Sequence, residues 1–203
     1  MQPHVYEDTP IRVAYCSIAG FFDGYALFEI LQQVESLVAT ARNTKPWKNE
    51  AGNLLFFVQR LEELCVAALT IHYEQGQRNE AILCMPESGQ PDTSQLAHYV
   101  NPRYMGNQWD CFPRHLSSKQ YHNPYKLFKK FAGSMRETEW KKALRMLLEY
   151  ALSKDSIEGI YPLYEILRMR KRLLQVVEAS HLILVRTQVS PIITGTNAAW
   201  KQG

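Results

Sequence analysis

Residues 162 to 186, PLYEILRMRKRLLQVVEASHLILVR, carry the longest uninterrupted helical pattern in the chain, and a segment of this kind limits what can be built around it. Leu163, Ile166, Leu167, Leu174, Val177 and Leu184 recur at steps of three and four, and Met169, Leu173, Val176 and Ile183 widen that face well beyond a stripe. A helix apolar over so wide an arc is stable in water only when touched on more than one side, which places it at the centre of a bundle. On a wheel of about 100° per residue, Arg170 and His181 fall near the middle of the apolar face, whereas Arg168, Lys171, Gln175 and Glu178 fall on the polar side. Arg170 and His181 therefore need partners, because desolvating an unpaired cation or imidazole costs several kcal/mol or forces its pKa down.

The remaining periodicity supplies the helices that would surround it. Thr9-Pro10 is a cap followed by a first-turn proline, and Ile11, Ala14, Tyr15 and Ile18 keep helical spacing, although the alternation in IRVAYCSI also fits a short strand. Gly20 and Gly24 flank a break, and Asp23 is placed to cap a second helix carrying Leu27, Ile30, Leu31, Val34, Leu37, Val38 and Ala41. A third helix is expected from about Asn53 to Gln75, with Leu54, Phe57, Val58, Leu61, Leu64, Cys65, Ala68 and His72 on one face and Gly76 as its C-cap. Asn123-Pro124 opens another, with Tyr125, Leu127, Phe128 and Phe131 inward, Lys126, Lys129 and Lys130 outward, and Gly133 as its stop. The run Ser134 to Glu137 has the capping-box pattern for a helix lined by Trp140, Ala143, Leu144, Leu147, Leu148 and Ala151.

Between the third and fourth of these the pattern weakens. Glu80 to Met85 fits a helical turn or a short strand, and Asp92 a cap for a short helix. Residues 86–123 read as a long irregular segment whose Tyr104, Trp109, Phe112 and Tyr121 argue for packing against the body of the protein. The fold expected is all-α: a single helical bundle of about five main helices spanning residues 1–186, with residues 187–203 as an irregular tail.

No window reaches about 18 apolar residues without charge, and the first residues, MQPHVYEDTPIR, lack the pattern of a secretory signal, so a cytoplasmic protein with no membrane span is expected. Cys16, Cys65, Cys84 and Cys111 form no CxxC pair and read as free, mostly buried thiols. Net charge is only +3, but residues 1–100 hold 6 Lys/Arg against 12 Asp/Glu and residues 101–203 hold 17 against 8, which is −6 and +9. Such a split arises when the two halves of a fold attract each other, or when the basic half meets an anionic partner.

Three constellations carry chemistry. Arg114 to Arg145 contains nine Lys/Arg and two acids, interleaved with Tyr121, Tyr125, Phe128 and Trp140. Its Lys126, Lys129, Lys130, Lys141, Lys142 and Arg145 form a candidate electrostatic patch for nucleic acid or an acidic protein, which Arg168 and Lys171 would extend. A helix-turn-helix is rejected there, because Lys129, Glu139 and Lys142 occupy positions that need small or apolar residues. Second, His72, Arg170 and His181 would form a small-anion pocket if their helices are neighbours; the plain alternative is three core residues satisfied by backbone or water. Third, Glu178-Ala-Ser-His181 has the ExxH spacing of dimetal bundles but lacks the second copy such sites require, so no metal or cofactor is expected. Cys111 with His115 or His122, beside Asp110, is too weak a pattern for a catalytic dyad, and no phosphate-loop or hydrolase motif is present. A non-enzymatic binding or regulatory role therefore leads, with an internal ligand site, possibly catalytic, as the rival.

Overall fold

The computed structural model describes residues 9–78 and 112–189, and among these it is all-helical, with seven α-helices and no strand. Helix α1 spans Pro10–Phe22, α2 Leu27–Ala41, α3 Ala51–Arg78, α4 Ser118–His122, α5 Tyr125–Ala132, α6 Glu137–Leu152 and α7 Leu163–Val189, with one 3₁₀ turn at Ile157–Gly159. The turns expected within 79–111, Cys84, Asp110, Cys111, and the tail beyond residue 189 lie outside the described residues.

Proline at the start of α1 acts as expected, since the Thr9 carbonyl accepts from the N–H groups of both Arg12 and Val13. Cap positions elsewhere shift. Asp23 does not cap α2; the helix opens at Ala26, whose N–H donates to the Glu29 carboxylate at 2.8 Å. Gly76 lies inside α3 and not at its end. Helix α6 starts two residues later than the Ser134 pattern implies: the Arg136 N–H donates to Glu139, while the Ser134 hydroxyl turns back to the Phe131 carbonyl at 2.6 Å. Both shifted starts use the same device, an acid three residues into the helix that binds an otherwise orphaned amide.

The central position of α7 is shown directly. It packs against α1, α2, α3, α4 and α5, and every residue from Leu173 to Arg186 is buried. Helix α3 is the second hub, touching α1, α5, α6 and α7. Phe131 stacks on Trp140 with ring centres 4.4 Å apart, closing the α5–α6 hairpin at Gly133, and the Tyr15 and Tyr125 hydroxyls bond at 2.9 Å to join α1 to α5. The connection after α2 is fixed to the end of α6 and the turn beyond it: the Trp47 N–H donates to the Ala151 carbonyl, and the Ser156 hydroxyl donates to the Arg42 carbonyl.

Three expectations are corrected by this packing. The segment 86–123 is not irregular to its end, because 118–122 forms α4 under a Ser117–Gln120 capping box. The tail does not begin at 187, because α7 continues to Val189. Cys16 is exposed, whereas Cys65 is buried in the core, which pushes its thiol pKa well up. No single described helix is long and apolar enough to cross a membrane.

Candidate functional site

The polar chemistry of α7 divides into interior and surface groups, and the division differs from the helical wheel. Gln175 and Glu178, assigned to the polar side, are buried; Glu178 is 0% exposed. What covers them is the segment leading into α4. The Glu178 carboxylate accepts the N–H of Arg114 at 2.7 Å and of His115 at 2.8 Å, and the Gln175 amide donates to the His115 carbonyl at 2.9 Å. Eight residues beyond Glu178, Arg186 donates to the Tyr121 carbonyl at 2.7 Å and lies 5.1 Å over the Tyr121 ring. Between these anchors Leu182 and Val185 pack with Tyr121, supported by Phe112 and Leu116. Gln175, Glu178, Leu182 and Arg186 lie on one stripe of the helix at steps of three and four, so two polar groups and one cation clamp a strap while leucine and valine seat it.

Burial raises the Glu178 pKa to about 7, against the opposing pull of the amides it accepts. Burial lowers the His181 pKa to about 4, so its imidazole is neutral at pH 7; its ring meets Phe22 of α1 edge-on at 5.2 Å. Both Glu178 oxygens are engaged by backbone donors, which makes the ExxH pair a structural clamp beside a core histidine.

His72, Arg170 and His181 are not brought together. His72 is half-buried on α3, its pKa lowered by burial and then by Lys129 of α5. Arg170 is not at the middle of a buried face: it makes a two-pronged ion pair with Glu35 of α2, with the two side chains 39% and 36% exposed. His181 is on the same side of α7 as Arg170 but eleven residues on, roughly 16 Å along the axis. The histidine within electrostatic reach of Arg170 and Glu35 is instead His115 of the strap, its pKa lowered chiefly by burial. A groove of about 950 Å³ between α1, α3 and α6, lined by Val13, Leu55, Val58, Glu62, Val66 and Arg145 among others, includes none of the three.

The surface patch divides too. Lys141 is paired with Glu137 at 2.6 Å and Arg145 with Glu62 at 3.4 Å. Lys126, Lys129 and Lys130 stand exposed on α5, as does Lys142 on α6, with no ion-pair partner among the described residues. His122 of α4 bonds the Ser118 carbonyl through Nδ1. From 112 to 136 the chain holds six Lys/Arg and no acid. The ion pairs Arg145–Glu62, Arg170–Glu35 and Arg42–Glu158 link the two halves of the chain, and the α5 lysines lie outside that network.

Sequence reasoning missed Gln175, Glu178 and Arg186 as one unit. Its signal was present: Leu182 and Val185 interrupt the supposed polar side of α7, which no solvated face requires. Neither a protein-family model, nor a curated protein, nor a solved structure matches the chain.

Proposed function

We propose that this is a non-enzymatic binding protein that holds an anionic partner, a nucleic acid or an acidic protein, against the cationic face of α4 and α5. The observation that carries the reading is the α5 surface: Lys126, Lys129 and Lys130 are exposed and unpaired among the described residues, inside a 25-residue stretch, 112–136, that has no acid. Lys119 on α4 and Arg136 before α6 are exposed as well and extend the positive field. Lys141 and Arg145 belong to the patch only in part, since each already has a carboxylate beside it. Part of the arrangement is ordinary helix chemistry, because Lys129 and Lys130 occupy the last turn of α5, where cations favour the helix dipole. Lys119 likewise falls in the last turn of the short α4, so Lys126 is the lysine that has no such explanation.

The rival, a small-anion site at His72, Arg170 and His181, loses its support because the three side chains face different neighbours and Glu35 already occupies the Arg170 guanidinium.

Binding of a labelled mixed-sequence duplex, a single strand and an acidic peptide, followed from about 50 to 200 mM salt, tests the reading. Affinity should fall steeply with salt, and Lys126→Glu, Lys129→Glu and Lys130→Glu together should abolish it. Binding that ignores salt, or survives that charge reversal, removes the α5 face as the site.

A further inference from the structure

The row of α7 that carries the strap does not end where the strap does. Gln175, Glu178, Leu182 and Arg186 lie under residues 112–122, and the same row continues towards the start of the helix, at steps of four and three, as Lys171 and Arg168. Both are exposed, and neither has an ion-pair partner among the described residues. Arg172 stands beside them, half-buried. Its Nη1 donates to the Gln175 amide oxygen at 3.4 Å, and its enclosed Nε has no hydrogen-bond partner among the described residues. Residues 168–172 hold four Lys/Arg and no acid, and of the four only Arg170 is paired, with Glu35 of α2. Glu165, the acid before this run, accepts the Tyr164 hydroxyl at 3.1 Å and pairs with neither Arg168 nor Arg172.

The strap brings an imidazole to the same place. His115 is held through both of its backbone groups, the N–H on Glu178 and the carbonyl on Gln175, which sets it one helical turn from Lys171. Its ring is half-buried and makes no hydrogen bond among the described residues. Four charged groups act on that ring: Glu35 of α2, Arg170 and Lys171 of α7, and Arg114 of the strap. Three are cations, and the one acid already grips Arg170. Burial, and then these cations against the pull of Glu35, lower the His115 pKa, so the ring is neutral at pH 7.

We propose that Arg168, Lys171 and His115, with Arg172 adding its charge from beside them, bind a dianionic phosphate group where the strap stops. Charge selects the occupant: unpaired cations from α7 and an imidazole from the strap converge on one spot, and phosphate oxygens accept from guanidinium, ammonium and imidazolium alike. Size narrows it further. Arg168 to Gln175 is seven residues, about 10 Å of helix, which spans one or two phosphates and not the long run that holds a polyanion. A carboxylate brings half the charge. A dianion beside the neutral ring draws a proton from solvent onto His115, so binding is coupled to proton uptake. This site stands apart from the α5 face and does not depend on it.

Inorganic phosphate titrated into the full chain at pH 7 and constant ionic strength, balanced with chloride, tests the proposal by proton NMR. The ring resonances of His115, identified by their loss in His115→Gln, should move with phosphate, and the pH midpoint of that ring should rise by about one unit. Arg168→Gln with Lys171→Gln should weaken phosphate by about tenfold or more while far-UV dichroism is unchanged. Lys126→Glu, Lys129→Glu and Lys130→Glu together should leave phosphate affinity within about twofold at physiological ionic strength, which separates this site from the α5 reading. No shift beyond that of chloride overturns the proposal, as does a shift that survives the two glutamines or one that acetate reproduces at equal concentration. Loss of the response in the α5 triple variant, with Arg168 and Lys171 intact, would assign the phosphate to α5 and overturn it as well.

Discussion

The two ends of α7 make opposite use of polarity. Over its first turns the helix carries leucine and tyrosine into solvent and buries only the row through Ile166 and Met169. From Leu173 to Arg186 it is enclosed on all sides, yet that enclosed part contains Gln175, Glu178, Ser180, His181 and Arg186. The contrast shows that residue type along a helix does not by itself decide which side is wet. A polar group is tolerated inside when something delivers its partners, as the backbone of the strap does for Gln175, Glu178 and Arg186, and apolar residues are tolerated outside because polar atoms alone do not cover a protein surface.

The strongest way to break the contrast is to remove the interior carboxylate. Glu178→Leu leaves the amides of Arg114 and His115 buried without acceptors and should cost about 3 kcal/mol or more, read from urea unfolding. A neutral outcome would mean that the strap holds without this clamp. Arg186→Met, at the other anchor, should cost about 2–3 kcal/mol, and hydrogen exchange should accelerate at Tyr121 and His122 before it does in α3.

A finer test uses pH. The pKa of Glu178 is raised on folding, so its contribution to stability is full below the unfolded carboxyl value and is lost as pH rises towards about 7. His181 is depressed on folding, so its contribution is full above the ordinary imidazole value and is lost as pH falls towards about 4. In the window where both titrate the two slopes oppose each other, and the native protein should be nearly flat with respect to these groups. Glu178→Gln should uncover a stability that rises with pH between about 4 and 6.5, and His181→Leu one that falls between about 4.5 and 7, each approaching 1.4 kcal/mol per pH unit at its steepest. Parallel pH profiles for the two variants would show that the groups do not titrate separately. The smallest effect belongs to the surface end: Arg170→Met, breaking a pair more than a third exposed on each side, should cost less than about 1 kcal/mol in the same unfolding assay.

Most of the helices were legible because periodicity records which faces are apolar, and α2, α5, α6 and α7 fall where leucine, phenylalanine and tryptophan recur. Their starts were less legible, because Asp23 and Ser134 resemble caps whether or not the chain turns there; Glu29 and Glu139 hold the amides instead. The site was legible only where it is local. Lys126, Lys129 and Lys130 follow from one amphipathic helix. The burial of Glu178 depends on a strap more than 60 residues earlier, and the exposure of Leu163 and Leu167, read as core, depends on which neighbours stop short of them. Neither is written in a wheel.

The central helix is also the last of the described helices to be synthesised. At about 5–20 residues per second, the faces of α1, α2, α3 and α5 that pack against α7 wait several seconds for it to emerge. Until Leu173 to Arg186 have left the ribosome, α1, α5 and α6 can close on α3, and α2 on α6, while the faces turned towards α7 stay open. Folding of this chain is therefore completed from its C-terminal side, and a nascent chain stopped before Leu173 presents to chaperones and proteases the apolar faces that the finished protein conceals.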